Sequence, residues 1–278
     1  MLSQLRRQYH QQLCEHIIYL KTGDIPNFAD KHSKPSVALA KNIVSQFGYP
    51  LRKSLPSGQA AGGAFEEITM DFIRAGLALL QHIRPATWEF SVHSTIQQFE
   101  QYAHLAELET LLRKHQDLRA ALGDYLIKPD IVIGRAPLSD GEINRETTIV
   151  DDTVAQLTPL RGENFSHPKS ILHASISCKW TIRSDRSQNS RTEGLNLIRN
   201  RKGHTPHIAV VTAEPYPQRI ASLALGTGDI DCVYHIALPE LKNAAEKYGN
   251  PAILDMLRTL VDGKRLRDIS DLPLDLVA

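Results

Sequence analysis

The sequence predicts an α/β fold with at least one parallel pair of strands, and three features between residues 171 and 213 carry that expectation. Ile171-Leu-His-Ala-Ser-Ile-Ser-Cys-Lys-Trp180 alternates between apolar and polar as a strand does. Residues 184–201 follow as a helix, closed by Lys202-Gly203, a cationic last turn and a terminating glycine. His207-Ile-Ala-Val-Val-Thr-Ala213 is then continuously apolar, the pattern of a strand buried on both faces. Strand, helix and buried strand in under fifty residues make a βαβ unit.

The other elements fall into order around this unit. Leu2, Leu5, Tyr9, Leu13, Ile17 and Leu20 repeat at helical spacing, and a polar stretch over residues 22–36 reads as an exposed loop. A second loop at residues 55–63 leads into an amphipathic helix through Phe65, Ile68, Phe72, Leu79 and Ile83, which Arg84-Pro85 ends. Another helical region covers residues 96–122. From residue 125 the period changes, and residues 125–134 are rich in β-branched side chains, as a strand requires. A polar segment, 135–170, is expected to return partly as a strand or hairpin around 147–150. A strand at 231–237 and helices at 239–247 and 251–261 complete one domain over residues 1–278, with helical decoration at its N-terminus.

Composition narrows the class. Of 278 residues, 42% are hydrophobic and 23% charged, and apolar positions recur throughout, which excludes low-complexity disorder. The longest apolar runs are about six residues, against the roughly 20 a membrane helix needs. The first ten residues hold no apolar leader, and Cys14, Cys178 and Cys232 are too scattered for a disulfide framework, so a reducing cytoplasm is expected. Net charge is only +1, but residues 179–202 carry seven cations against two acids. A near-neutral chain with one concentrated basic segment suits a localised polyanion site, or a solvated helix face.

Two constellations could carry chemistry. Pro129-Asp130 and Ser177-Cys-Lys179 sit on two strands, so a carboxylate and an ammonium can meet at one sheet edge. Metal-dependent nucleases need that pairing: the cation polarises a phosphoryl oxygen, and the lysine orients water or stabilises developing charge. A turn aspartate and a surface lysine remain the plain alternative. The position two before the lysine, where such sites carry an acid, is Ser177 here; Glu193 on the following helix and Glu66 on the earlier one are the candidate substitutes. The second constellation is Arg183-Ser-Asp-Arg186 at the start of the basic helix. Arginine forks pair with guanine and an aspartate accepts from cytosine, so this segment can read G·C pairs, or it can simply cap the helix. The chain holds no His-Glu-x-x-His, no phosphate loop and no Gly-x-Ser-x-Gly, and Asp151-Asp152 reads as a solvated turn.

With those residues in view, the chain resembles the CCGG-recognising type II restriction endonucleases over nearly all its length. The likeness is strongest in Leu172-His-Ala-Ser-Ile-Ser-Cys-Lys-Trp-Thr-Ile-Arg-Ser-Asp-Arg186, Glu193-Gly-Leu-Asn196 and Val211-Thr-Ala-Glu-Pro215, and extends to Ala64-Phe-Glu66 and Pro129-Asp-Ile131. The resemblance implies a restriction-endonuclease-like PD-(D/E)XK core, α/β, with a central mixed β-sheet flanked by helices. It implies a catalytic set of Glu66, Asp130, Ser177, Lys179 and Glu193, and Mg²⁺, two per active site, held by Asp130, Glu66, Glu193 and the main-chain carbonyl of Cys178. Arg183, Asp185 and Arg186 match the readers of CCGG, Gln59 a minor-groove contact, and Asp30 and Arg219 the readers of an outer pair, making the target GCCGGC. The implied partners are double-stranded DNA and further copies of the chain, a dimer at least and a tetramer in this group. A structure-selective repair nuclease and a catalytically silent DNA-binding protein on the same scaffold are the competing readings.

Overall fold

The computed structural model describes residues 1–53, 58–115, 117, 127–182 and 184–278, with the side chains of 58–61, 113 and 184–188 outside the description. Six strands form one sheet in sequence order: β3 (Trp88–Val92), β4 (Ile131–Arg135), β5 (Ile171–Lys179), β6 (His207–Thr212), β7 (Cys232–His235) and β8 (Leu266–Asp268). β3, β4 and β5 pair antiparallel, whereas β5 through β8 run parallel, so β5 carries one ladder of each kind. The sheet is therefore mixed, and the expected βαβ unit is β5, α6 (Ser184–Asn200) and β6.

Alternation along the strands divides the interior between the two faces. Ile131 and Ile133 of β4 and Ala174, Ile176 and Cys178 of β5 join the larger core, with α3 (Gly58–Leu79) contributing Phe65, Phe72 and Leu77. Val132 and Leu172 point the other way, into a smaller core with Tyr102, Leu197 of α6 and Ile208. Gln101 links that face to the sheet, its amide bonding both the N–H and the C=O of Leu172 at 2.8 Å. Next to it the β4–β5 ladder shifts register between Ile133 and Gly134, and a Cβ on Gly134 would meet Phe99 at 2.9 Å.

Around the sheet, α1 (Leu2–His16) packs on α3, and α2 (Lys34–Phe47) packs on α8 (Leu238–Tyr248). A short hairpin, β1 (Leu20–Lys21) and β2 (Ile25–Pro26), precedes α2 and turns through Gly23 and Asp24 at positive φ. Arg6 of α1 reaches the far end of the sequence, forking onto Glu240 at 2.8 and 2.6 Å and Asp268 at 2.8 and 2.9 Å. The remaining elements are α4 (His104–Lys114), α5 (Asp140–Ile143), α7 (Pro217–Ala224), α9 (Pro251–Asp262) and α10 (Leu272–Asp275).

The structure corrects the sequence reading in several places. Residues 147–150 form no strand: the Asn144 side chain takes the N–H of Ile149 and Val150 and donates to the Val150 carbonyl, replacing a ladder with a side-chain clasp. The second antiparallel strand is β3 instead. Residues 34–36, read as loop, already belong to α2, where Ser33 caps the first turn, Pro35 sits inside it and Gly48 closes the helix at φ 72. The helical region beginning at 96 opens as two short 3₁₀ turns before α4, and the strand read over 125–134 enters the ladder only at Ile131.

Candidate active site

The antiparallel β4–β5 pairing brings the start of one strand beside the end of the other. Ile131 lies opposite Ile176, so Asp130, just before β4, faces the last residues of β5. One oxygen, Asp130 Oδ2, accepts the Cys178 N–H at 2.7 Å and the Lys179 ammonium at 2.8 Å. Burial would push the Lys179 ammonium down, but the charge and hydrogen bond of Asp130 outweigh it, and the group is held above its ordinary range. Cys178 points to the opposite face. Its thiol is buried in the larger core and driven well above a normal thiol, so its backbone is what it offers the site.

Helices on both faces of the sheet bring in two more carboxylates. From α6, Glu193 accepts the Ser177 hydroxyl at 3.3 Å through Oε2, while its buried Oε1 has no hydrogen-bond partner. The residue that leaves position 177 without an acid thus holds the acid from the next helix. Burial pushes the Glu193 carboxyl up to about 7; Lys179 opposes this and Asp130 reinforces it. From α3, Glu66 is also raised, first by burial and then by the Asp130 charge, with His93 and Lys179 opposing. Its Oε2 lies 2.9 Å from His93 Nε2 without hydrogen-bond alignment. His93 is held at φ 54, in the left-handed region, and its N–H donates to the Asp130 carbonyl at 3.2 Å.

Three neighbouring carboxylates, two of whose buried oxygens accept no hydrogen bond, form a set of hard oxygen donors whose chemistry fits a divalent cation such as Mg²⁺. Among the described residues, no three His, Cys, Asp or Glu side chains stand close enough together to hold a metal ion as they are placed. Asp130 instead spends one oxygen on Lys179 and the Cys178 N–H.

The positions expected to read bases are partly visible. Asp30 and Arg219 meet as an ion pair beside a groove of about 1010 Å³ that Phe28, His32, Thr181 and Gln218 also line. The Asp30 carboxyl is held below its usual range, first by the His32 N–H and then by Arg219. Gln59 lies on α3, and Asp185 and Arg186 lie on α6, but their side chains, and all of Arg183, fall outside the described residues. Sequence reasoning did not single out His93 or Glu214. No spacing announces the first. The second had a signal, a charge directly after a strand buried on both faces.

A strand-end aspartate bonded to a lysine of the neighbouring strand and flanked by a buried and a half-buried glutamate has the chemistry of a nuclease centre. The model of the NgoMIV restriction enzyme family matches residues 9–278, and the chain belongs to that family. It is 46% identical over 283 residues to the type II restriction enzyme NgoMIV of Neisseria gonorrhoeae, covering 99% of this chain and 98% of that one. The chain is accordingly a type II restriction endonuclease, and the reading as a silent DNA-binding scaffold falls away. Solved structures that resemble it include the restriction endonuclease PspGI in complex with substrate DNA, at 12% identity, 99% and 91% coverage and a TM-score of 0.32. Another is the type IIF restriction endonuclease Bse634I with cognate DNA, at 13% identity, 98% and 92% coverage and a TM-score of 0.35. No helix among the described residues is long and apolar enough to cross a membrane.

Proposed function

We propose that this enzyme hydrolyses both strands of duplex DNA at a palindrome containing CCGG, in full GCCGGC, using Mg²⁺ and leaving 5′-phosphate ends. The observation that carries the reading is the bond from Asp130 Oδ2 to Lys179 and the Cys178 N–H, with Glu66 buried and Glu193 half-buried beside it.

In this reading Asp130, Glu66, Glu193 and the carbonyl of Cys178 hold Mg²⁺, two ions per site, which supply phosphoryl polarisation and a water of lowered pKa when bound. Lys179 directs its ammonium at the scissile phosphate, orienting the attacking water and stabilising the charge that builds on the phosphoryl oxygens. Ser177 keeps Glu193 at the strand end through its hydroxyl. Asp130, bonded to a backbone N–H as well as to Lys179, fixes the lysine against the ladder, so the ammonium is placed before substrate arrives.

Arg183, Asp185 and Arg186 read the CCGG core from the major groove, Gln59 touches the minor groove, and Asp30 with Arg219 reads the outer G·C pair. A palindrome read symmetrically implies a two-fold dimer, and we place two such dimers in a tetramer, each chain acting as one endonuclease domain over residues 1–278. The test is to incubate the full-length protein with sequenced plasmid and Mg²⁺ and map the ends. Breaks confined to GCCGGC are expected. Breaks at other CCGG sites would remove the outer-pair roles of Asp30 and Arg219, and breaks unrelated to CCGG would identify a structure-selective nuclease.

A further inference from the structure

Glu214 stands two residues past the end of β6 and is completely buried, yet the chemistry described above makes no use of it. Its two carboxylate oxygens serve two segments, one 32 residues away and one at the adjoining start of α7. Oε2 accepts the Ile182 N–H at 3.0 Å, and Oε1 accepts the Tyr216 N–H at 3.3 Å. Its backbone is anchored too: the N–H donates to Thr212 Oγ1 at 3.1 Å, and the carbonyl lies 3.2 Å from His235 Nε2. Ile182 is the residue before Arg183 and leads into α6; Tyr216 is the residue before α7, on which Arg219 lies.

A carboxylate is costly to bury, and burial pushes this one up to about 7, with the Ile182 N–H, Arg219 and the Tyr216 N–H pulling it back and Asp30 adding to the rise. Here the two N–H groups are taken by different oxygens of one side chain, an arrangement that only Asp and Glu supply; an amide would set an NH₂ donor against one of the two N–H groups. A second tie holds α6 and α7 together elsewhere. Arg191 of α6 donates to the carbonyls of Leu223, at 3.0 Å, and Leu225, at the end of α7, and pairs with Asp229 at 2.9 Å.

We propose that Glu214 is a positioning residue for base recognition, whose two carboxylate oxygens lock the start of α6 to the start of α7 so that both helices address DNA as one rigid unit. This inference rests on the reading that residues 183–186 and Arg219 recognise the central and outer base pairs. Because one group sets both helices, its loss relaxes the central and outer positions together, whereas loss of a reader relaxes its own position.

The experiment measures equilibrium binding of full-length protein, in Ca²⁺, to a GCCGGC duplex, to duplexes changed at one central or one outer pair, and to an unrelated duplex. Glu214→Gln keeps the shape but turns one acceptor into a donor facing an N–H. The ratio of cognate to mismatched affinity is expected to fall about tenfold at both positions, out of the roughly 5- to 150-fold that a mismatch costs, with unrelated-duplex binding unchanged. Val210→Ala, a cavity in the same strand, serves as the control: with a comparable loss of Tm it leaves both ratios alone. Should Glu214→Gln not fold, Thr212→Val, which removes the hydroxyl anchoring the Glu214 backbone, is expected to lower both ratios about threefold. Unchanged ratios in the variant that folds, or a Val210→Ala ratio that falls with its Tm, overturn the proposal. Arg186→Ala and Arg219→Ala run alongside. If neither alters discrimination, the base-reading assignment itself fails; if both do and Glu214→Gln does not, only the present inference fails.

Discussion

Binding of a divalent cation is expected to expel a proton from Glu193. The carboxyl titrates at about 7 in the cation-free protein, because burial and the Asp130 charge disfavour its ionised form more than Lys179 favours it. A cation ligates the carboxylate, not the acid, so whatever fraction is protonated must leave on binding. That fraction is about nine-tenths at pH 6, half at pH 7 and one-tenth at pH 8, which sets the proton release per Glu193. Apparent affinity therefore climbs about tenfold per pH unit below 7 and flattens above it. Glu66, also raised by burial and Asp130, adds to the release. The assay is calorimetric titration of Ca²⁺ into the protein–duplex complex in buffers of different ionisation enthalpy, from pH 6 to 8. Release below about 0.1 proton at pH 6, or an identical profile from Glu193→Gln, would refute the reasoning.

Further outcomes follow from other parts of the structure. Lys179→Ala is expected to cut the rate of DNA cleavage at least about a hundredfold, while specific binding in Ca²⁺ persists; undiminished plasmid cutting would remove the lysine from the reaction. Gly194→Ala places a methyl group against the Asp229 carbonyl, and the shift this forces outweighs the helix propensity of alanine, for a net loss of about 1–3 kcal/mol. A thermal melt with Tm unchanged or raised would contradict that contact. For Glu214 the sign runs opposite to that of a paired carboxylate: its folded value, about 7, lies above the ordinary 4.5, so its contribution is present at low pH and lost as pH rises towards 7. Across pH 5 to 7 the wild type is expected to lose up to about 2 kcal/mol relative to Glu214→Gln, without divalent ions. His173 and His235, both held down at about 4, tilt both proteins the other way and cancel in the difference, as does Glu193. Chemical denaturation at each pH supplies the curve, and a flat difference would mean that Glu214 ionises normally.

What could be read from the chain in advance follows the strength of each local signal. β5, α6 and β6 are long, strongly patterned and bounded by clear stops, and they stand where the sequence placed them. β3 and β8 escaped notice because one is a half-buried edge strand and the other has three residues, so neither shows a usable alternation. The 147–150 expectation failed because β-branched residues there bond to the Asn144 side chain, an alternative that periodicity does not register. At the site, Asp130 and Lys179 were visible as a pair, and Glu193 as the substitute for the acid missing at Ser177. His93 was not, since its approach to Glu66 depends on one residue in a left-handed conformation at the end of β3.

The fork of Arg6 onto Glu240 and Asp268 also bears on the order in which the molecule comes together. α1 is synthesised well before the partners of its arginine, which lie 234 and 262 residues later. Until α8 and β8 exist, the apolar stripe of α1 can settle on α3 while its cation finds no anionic partner. Contacts of such sequence separation are slow to close and form only once the intervening chain has collapsed. A helix made early is thus secured late. In an enzyme that cuts DNA, that delay ties the full anchoring of α1 to the synthesis of β8.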